Sequence, residues 1–439
     1  MYSQAKHVRE RSRIFVRVAG LCAAIATALL IAAAGAGGPL AQEGTDPQDQ
    51  APGSGQPTME EKIVFSSSRD NPAPPFVGSG CDPSNMTPFN YARCNGLNSG
   101  ELYLMDLDGT DPVRLTTNTD LDVFAALSPN GKNIVFDSNR LRDPLTELIN
   151  TSDLFVMNTD GTEPMYVVRG SSATWSPDSK NIAFHRSASG TGGPIFNFNP
   201  GAPTTDSDIF ALKVELDGLN PAEPDANEDE PKLTNLTDNG NATIDDDADW
   251  SPKDAPNGDQ ILFTRYDPAT VPKPINSGSN VFTRDIWVMN ADGSGKKNLT
   301  NNNQEERGAT WSPDGTHIVY GCRRPETNGD FLTFEICVMD RNGNNEKVLT
   351  SNALADLAAS WSPDGNQIVF QRPVGTEGNT QIFVMALQCG DVPCSDPSAD
   401  GAITGASNAT PLTDGASQGV QLAPRAGVLR VSDDEGSAE

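Results

Sequence analysis

A chain of 439 residues with a net charge of −28 and a pI near 4.3 repels polyanions, which argues against nucleic acid and anionic membrane surfaces as partners. With 36% hydrophobic and 21% charged residues it is globular, and its Gly 40 and Pro 33 indicate many turns without making it low-complexity. Such a length ordinarily means two or three domains, but a regular internal period points to one long repeat domain.

Residues 1–41 read as a leader. Lys6, Arg9, Arg11, Arg13 and Arg17 precede the apolar or small-residue run Val18 to Gly38, and Leu40-Ala41 stands before polar Gln42-Glu43. This is the pattern of a signal peptide cut near Ala41 or, given the length of the run, of an N-terminal membrane anchor. Cys22 lies in the run, and its neighbours fit a lipidation site badly. Residues 42–60, rich in Gly, Pro, Gln, Asp and Ser with no apolar period, read as a disordered linker.

From Ile63 a unit of four short strands recurs. Its signature is Trp361-Ser362-Pro363-Asp364-Gly365 followed by Ile368-Val369-Phe370, with copies at Trp311 to Gly315 and Trp175 to Asp178 and weaker ones at Ser128 and Trp250. Proline presets the first corner of a turn, Asp or Asn tolerates the second, and Gly supplies a positive φ, so a hairpin joins strand one to strand two. Strand three recurs as Leu102-Tyr103-Leu104-Met105, Leu154-Phe155-Val156-Met157, Ile209-Phe210-Ala211-Leu212, Ile286-Trp287-Val288-Met289, Ile336-Cys337-Val338-Met339 and Ile382-Phe383-Val384-Met385. Turns such as Thr159-Asp160-Gly161 lead on to a fourth strand ending Leu-Thr, as at Leu115-Thr116 and Leu349-Thr350.

The apolar runs of strands two and three are continuous, so both faces of each sheet are buried, as when sheets stack like blades. Strand two occurs at 63, 134, 182, 261, 318 and 368. Residues 61–427 are therefore expected to be all-β: a six-bladed β-propeller of four-stranded antiparallel blades. The chain enters at strand two of one blade, and a last strand one near Leu422-Ala423-Pro424 is expected to close the ring, leaving 428–439 as an acidic tail.

The repeated Trp-Ser-Pro-Asp-Gly, the Asp285 to Asn290 type of third strand and the Leu-Thr ending together resemble the TolB-type propeller repeat. The resemblance implies a propeller over about residues 60 to 427, without the α/β domain that precedes the propeller in TolB.

Six cysteines follow the leader in three sequence-local pairs, and an exported chain meets an oxidising compartment, so the expected disulfides are Cys81–Cys94, Cys322–Cys337 and Cys389–Cys394. Metal ligation by these cysteines is disfavoured because no short zinc-type spacing is present and His is scarce.

A meander gathers the strand two-to-three and four-to-one connections on one face, where the long ones are 66–100, 139–152, 187–207, 266–284 and 323–333; 217–231 and 388–409 are exceptions that lengthen the opposite face. Strand one should line a central channel, where Thr174, Asp249, Thr310, Ser360 and Gln421 are the expected polar lining, with Ala126 at the remaining position. Asp245, Asp246, Asp247 and Asp249 offer hard oxygens that could hold Ca²⁺, the one cofactor considered; the rival reading is a solvated acidic loop.

Catalytic patterns are scarce. His185 and His317 fall in or beside strand two, and Gly415-Ala416-Ser417-Gln418-Gly419 matches a nucleophile elbow without the strand and helix that strain one. The acids opening strand three (Glu101, Asp153, Asp208, Asp285, Glu335) recur blade after blade, which suits a structural role. The expectation is an exported, non-catalytic, monomeric scaffold that binds a protein, peptide or glycan at the cell envelope. The alternative is a propeller enzyme, or an accessory subunit of a peptidase- or lyase-related enzyme, acting on extracellular substrate.

Overall fold

The computed structural model describes residues 60–67, 100–140 except 119, 152–187, 207–214, 232–238, 243–266 except 254 and 257, 284–323 except 303, 334–374 except 353, 379–413 except 391 and 395–401, and 428–431. The leader, most of the linker, the Cys81–Cys94 pair, Gln421 and nearly all of the long two-to-three connections lie outside them.

The described residues form strands and turns. The first sheet is β1 (Glu60–Ser67), β2 (Glu101–Asp106) and β3 (Val113–Arg114). Next comes β4 (Asp122–Leu127), β5 (Asn133–Ser138), β6 (Asp153–Asn158) and β7 (Met165–Arg169). The third meander is β8 (Ser171–Trp175), β9 (Asn181–Ser187), β10 (Ser207–Lys213) and β11 (Thr234–Asn235), and the fourth is β12 (Ile244–Trp250), β13 (Gln260–Tyr266), β14 (Asp285–Asn290) and β15 (Lys297–Asn298). Then follow β16 (Glu306–Trp311), β17 (His317–Arg323), β18 (Phe334–Asp340) and β19 (Lys347–Val348). The last meander is β20 (Leu357–Trp361), β21 (Gln367–Val374), β22 (Asn379–Cys389) and β25 (Thr410–Pro411), enlarged by β23 (Val392–Pro393) and β24 (Ile403–Ala406) on β22. β26 (Val428–Val431) returns to pair with β1.

This is an all-β propeller arrangement of antiparallel meanders. Among the described residues the strands make five hydrogen-bonded sheets, where six separate blades are expected. The difference has a local cause: a single parallel pair, Ser207 with Ile244, joins the β8 and β12 meanders into one eight-stranded sheet. The strand that meets β1 is 428–431, inside the stretch expected to be a tail, while 422–424 lies outside the described residues. No helix among the described residues is long and apolar enough to cross a membrane.

The repeat motif builds a joint. Ser362 Oγ donates to Asp364 Oδ1 at 2.5 Å and accepts the Gln367 amide at 2.9 Å, while the Gly365 amide closes on Ser362 O at 2.9 Å. The same bonds recur at Ser312, Asp314 and His317, and at Ser176, Asp178 and Asn181, with Asn130 replacing the acid at Ser128. Ser179 takes φ 58° where the other copies have glycine.

The indoles pack between meanders. Trp175 lies with Val135, Leu154 and Val156 of the preceding meander, Trp311 with Leu262, Ile286 and Val288, and Trp361 with Val319, Ile336 and Val338. Trp175 Nε1 donates to Ala126 O at 3.1 Å and Trp361 Nε1 to Thr310 O at 3.2 Å. Phe65, Phe136, Phe184, Phe263 and Phe370 are almost wholly buried, each ring worth about 2–3 kcal/mol of burial. One cluster joins Ile63 and Tyr103 both to Ile134 and Phe155 of the second meander and to Val369 and Ile382 of the last. The beginning of the domain thus packs against its end.

Candidate functional site

Each described first strand carries the same irregularity. The register skips a residue between Val123 and Ala126, Ser171 and Thr174, Asp246 and Asp249, Arg307 and Thr310, and Leu357 and Ser360. At these bulges Phe124 (φ 51°), Ser172 (52°), Asp247 (51°), Gly308 (58°) and Ala358 (55°) are left-handed. Glycine is usual at that position, and a side chain there costs about 1 kcal/mol. The next residue is alanine every time, at 125, 173, 248, 309 and 359, and each is buried against the neighbouring meander. Asp137 secures one bulge by accepting the Ser172 amide at 3.0 Å and the Ser171 hydroxyl at 2.5 Å.

Beside the bulge, where strand two leaves for the long connections, stands a second recurring unit. Asp245 accepts Arg265 Nε at 2.6 Å and Nη2 at 2.7 Å, and the guanidinium lies 5.2 Å from the Phe263 ring centre and 4.9 Å from Trp287. Asp356 holds Arg372 likewise over Phe370 and Phe383, and Asp122 holds Arg140 over Phe136 and Phe155. Burial raises the Asp245 carboxyl even though Arg265 pulls it down. These carboxylates balance a buried cation and orient it.

The β16 meander departs from that pattern. Cys322, opposite Glu306 and Glu335 as Arg265 is opposite Asp245 and Asp285, is bonded to Cys337 instead. Glu306 accepts Asn302 Nδ2 at 2.8 Å. Three arginines then gather on the adjacent Glu305: Arg307 Nε at 2.6 Å, Arg323 Nη1 at 3.4 Å and Arg284 Nη1 at 3.5 Å. Arg284 Nε also lies 3.4 Å from Asp246 Oδ2. Burial pulls the Arg307 guanidinium down and the charges of Glu305, Asp246 and Asp247 more than restore it; burial and Arg307 lower Arg323 against the pull of Glu305. Arg284 directly follows the 267–283 connection and Arg323 directly precedes 324–333.

The acids that open strand three are latches. Thr116, Thr237, Thr300 and Thr350 each accept the amide of a strand-three residue on Oγ1 and donate to Glu101, Asp208, Asp285 and Glu335 respectively. Burial raises the Glu101 and Asp285 carboxyls. At Asp153 no threonine stands opposite; Arg169 approaches to 3.7 Å, and burial lifts the carboxyl to about 6.

The four expected calcium ligands do not converge. Among the described residues no group of three or more His, Cys, Asp or Glu is arranged to hold a metal. Asp245 is committed to Arg265, Asp246 accepts Thr264 Oγ1 at 2.5 Å, and Asp249 accepts the Trp311 amide at 2.9 Å, because strand alternation and the bulge at Asp247 turn them to different neighbours. The expected channel lining is also altered. Thr174, Asp249, Thr310 and Ser360 are 5%, 9%, 5% and 6% exposed, and the contacts of the first three run to the next meander: Thr174 Oγ1 to Asp249 at 3.4 Å, Asp249 to Trp311, and Thr310 Oγ1 to Ala359 O at 3.3 Å. A sheet standing edge-on to the axis turns alternate residues toward its two neighbours, so these positions tie adjacent blades. The Cys322–Cys337 and Cys389–Cys394 disulfides are present.

No family model matches the sequence. The fold is similar to solved structures of TolB, from Agrobacterium tumefaciens (17% identity, TM-score 0.45, 71% of this chain and 87% of that one) and from Acinetobacter baumannii (16%, 0.45, 79% and 63%). An oligogalacturonate lyase from Vibrio parahaemolyticus is similar at 12% identity and TM-score 0.42, over 70% of this chain and 75% of its own.

Proposed function

We propose that the chain is an exported, non-catalytic binding scaffold: a six-bladed ring whose loop-bearing face engages a protein, peptide or glycan partner at the cell envelope. Six blades follow when the eight-stranded sheet is divided at its single parallel pair, and the packing of Ile63 and Tyr103 against Ile382 supports closure of the ring. Two disulfides suit an oxidising compartment.

One observation carries the reading. The two faces of the meanders are built differently: the strand one-to-two turns at 128–131, 176–179, 312–315 and 362–365 bond their own residues, whereas the strand two-to-three connections leave from the opposite face, beside buried arginine–carboxylate pairs in the β4, β12 and β20 meanders. A rigid frame with most of its long segments on one side suits recognition, the connection from β10 to β11 and that from β22 to β25 being the long ones on the other. The recurring strand-three acids act within that frame, each latched by a threonine or an arginine.

Affinity capture from the native envelope fraction tests this. A specific partner should be retained and then lost when 267–283 is replaced by a short Gly-Ser link, with the disulfides and cooperative unfolding intact. Robust turnover of peptide or polysaccharide substrates by the purified protein would overthrow it.

A further inference from the structure

We propose that the free edge of the last meander, residues 403–411 of β24 and β25, is the docking edge for a second copy of this chain, the two edges pairing antiparallel about Ala406. This goes beyond the scaffold reading, which holds for one copy or two, and replaces the monomer expected from the sequence. The repeat supplies an internal control. Four meanders end in strands of two residues, β3, β11, β15 and β19, and three of these carry an Arg or Lys. β7 is longer and closes on Arg169, whose side chain is 53% exposed. Short strands and cations keep a sheet edge from pairing with another chain. The last meander has neither protection: residues 402–413 contain no Asp, Glu, Lys or Arg, in a chain of net charge −28.

The edge is open and held in shape. Among the described residues β24 and β25 pair with β22 and with no other strand. Thr404, Ser407, Asn408, Thr410 and Pro411 are exposed, while Ile403, Ala406 and Ala409 are half-buried against the cluster of Trp361, Phe383 and Leu387. The Cys389–Cys394 disulfide fixes the end of β22 on which β24 lies. Ala406 stands opposite Leu387, whose amide donates to Asn366 O and whose carbonyl accepts the Cys394 amide, both on the side away from β24. That pair therefore shares no bonds, and Ala406 turns its own N–H and C=O to the free edge. A copy centred on Ala406 exchanges bonds between the two Ala406 residues and sets Thr404 opposite Asn408, a contact that is two-fold by construction. Charge selects this occupant. Two chains of −28 repel over most of their surfaces, and here they meet without acid against acid. Val348, 46% exposed on β19 beside β24, adds apolar surface. The register slip before Gly405 and the missing N–H of Pro411 keep the run short. Such a contact covers well under the ~1,200 Å² of a stable interface, so the expected Kd is roughly 10⁻⁵–10⁻⁴ M.

Sedimentation velocity of the purified protein, at concentrations on either side of that Kd, is the test. Mass should double with concentration, and raising NaCl from about 50 mM to about 500 mM should favour the dimer several-fold because salt screens like charges. Thr404→Asp with Asn408→Asp sets acid opposite acid and should weaken association about tenfold, whereas Thr404→Lys with Asn408→Asp sets Lys opposite Asp and should retain it. Both double variants lose the same Thr404 bonds to Gln388 O and Gly390 O, so their difference reports the pairing alone. Val113→Asp, on the edge of the first meander, should leave association unchanged. A single species at every concentration, a dimer that loosens with salt, or equal association of the two double variants at matched unfolding midpoints would each overturn the proposal. So would a protein that stays monomeric and loses a captured partner in the paired-acid variant, since the edge then belongs to a foreign strand; the scaffold reading stands in every case.

Discussion

Asp153 is a buried carboxyl whose nearest cation, Arg169, stands half-exposed. Its side chain is 8% exposed and its carboxyl titrates near 6, against an ordinary 3.8, because burial outweighs the charge of Arg169. Between those values the folded chain holds a proton that the unfolded chain has released. This group therefore makes stability fall as pH rises from about 4 to about 6, with no further loss above. Asp153→Asn should stabilise the fold by about 2 kcal/mol at pH 7 and by little at pH 4, read from denaturant unfolding across that range. Glycines give a second contrast. A Cβ on Gly343 (φ 89°) would lie 2.5 Å from Leu299 O of the preceding blade, whereas Gly258 (φ 78°) has open space around it. Gly343→Ala should cost about 3 kcal/mol and Gly258→Ala about 1, measured by thermal unfolding.

At the scale of the element, the arginine–carboxylate–aromatic unit binds strands one, two and three of a blade together. Arg265 is 11% exposed and Asp245 not at all, so Asp245→Asn strands a buried cation between Phe263 and Trp287. A loss of about 3 kcal/mol is expected, largely recovered in Asp245→Asn with Arg265→Met, as a double-mutant cycle would register. The pattern was partly legible: an acid five residues before Leu127, Trp250, Trp311 and Trp361 and an alanine two before each are visible once the copies are aligned. The bulge was not, because left-handed φ at Phe124, Ser172 and Ala358 contradicts what those side chains prefer; close packing of the next alanine imposes it. The same slip sends Asp245, Asp246 and Asp249 to separate partners, which spacing alone presents as a cluster.

At the scale of the molecule, the domain is held where its ends meet. β26 pairs Glu60 with Val431 through Ile63 with Val428, and Gly109 sits against Leu412. Ending the chain after Gly427 should destabilise the domain by about 1–3 kcal/mol and speed hydrogen exchange in β1 before any other strand. Unchanged protection of β1 would show that the closing strand contributes nothing.

Strand order, turns and the indoles between blades are legible along the chain, since these depend on local chemistry: proline and glycine at corners, continuous apolar runs, a repeat that aligns with itself. Proximity along the chain also pointed to Cys322–Cys337 and Cys389–Cys394. Which carboxylate meets which cation is settled by folding in three dimensions. Arg284, Glu305 and Arg323 belong to different strands and loops, and Thr174, Asp249 and Trp311 to three successive blades. Charge pairing is chosen by distance in space, and a bulge of one residue changes the side to which every later side chain turns.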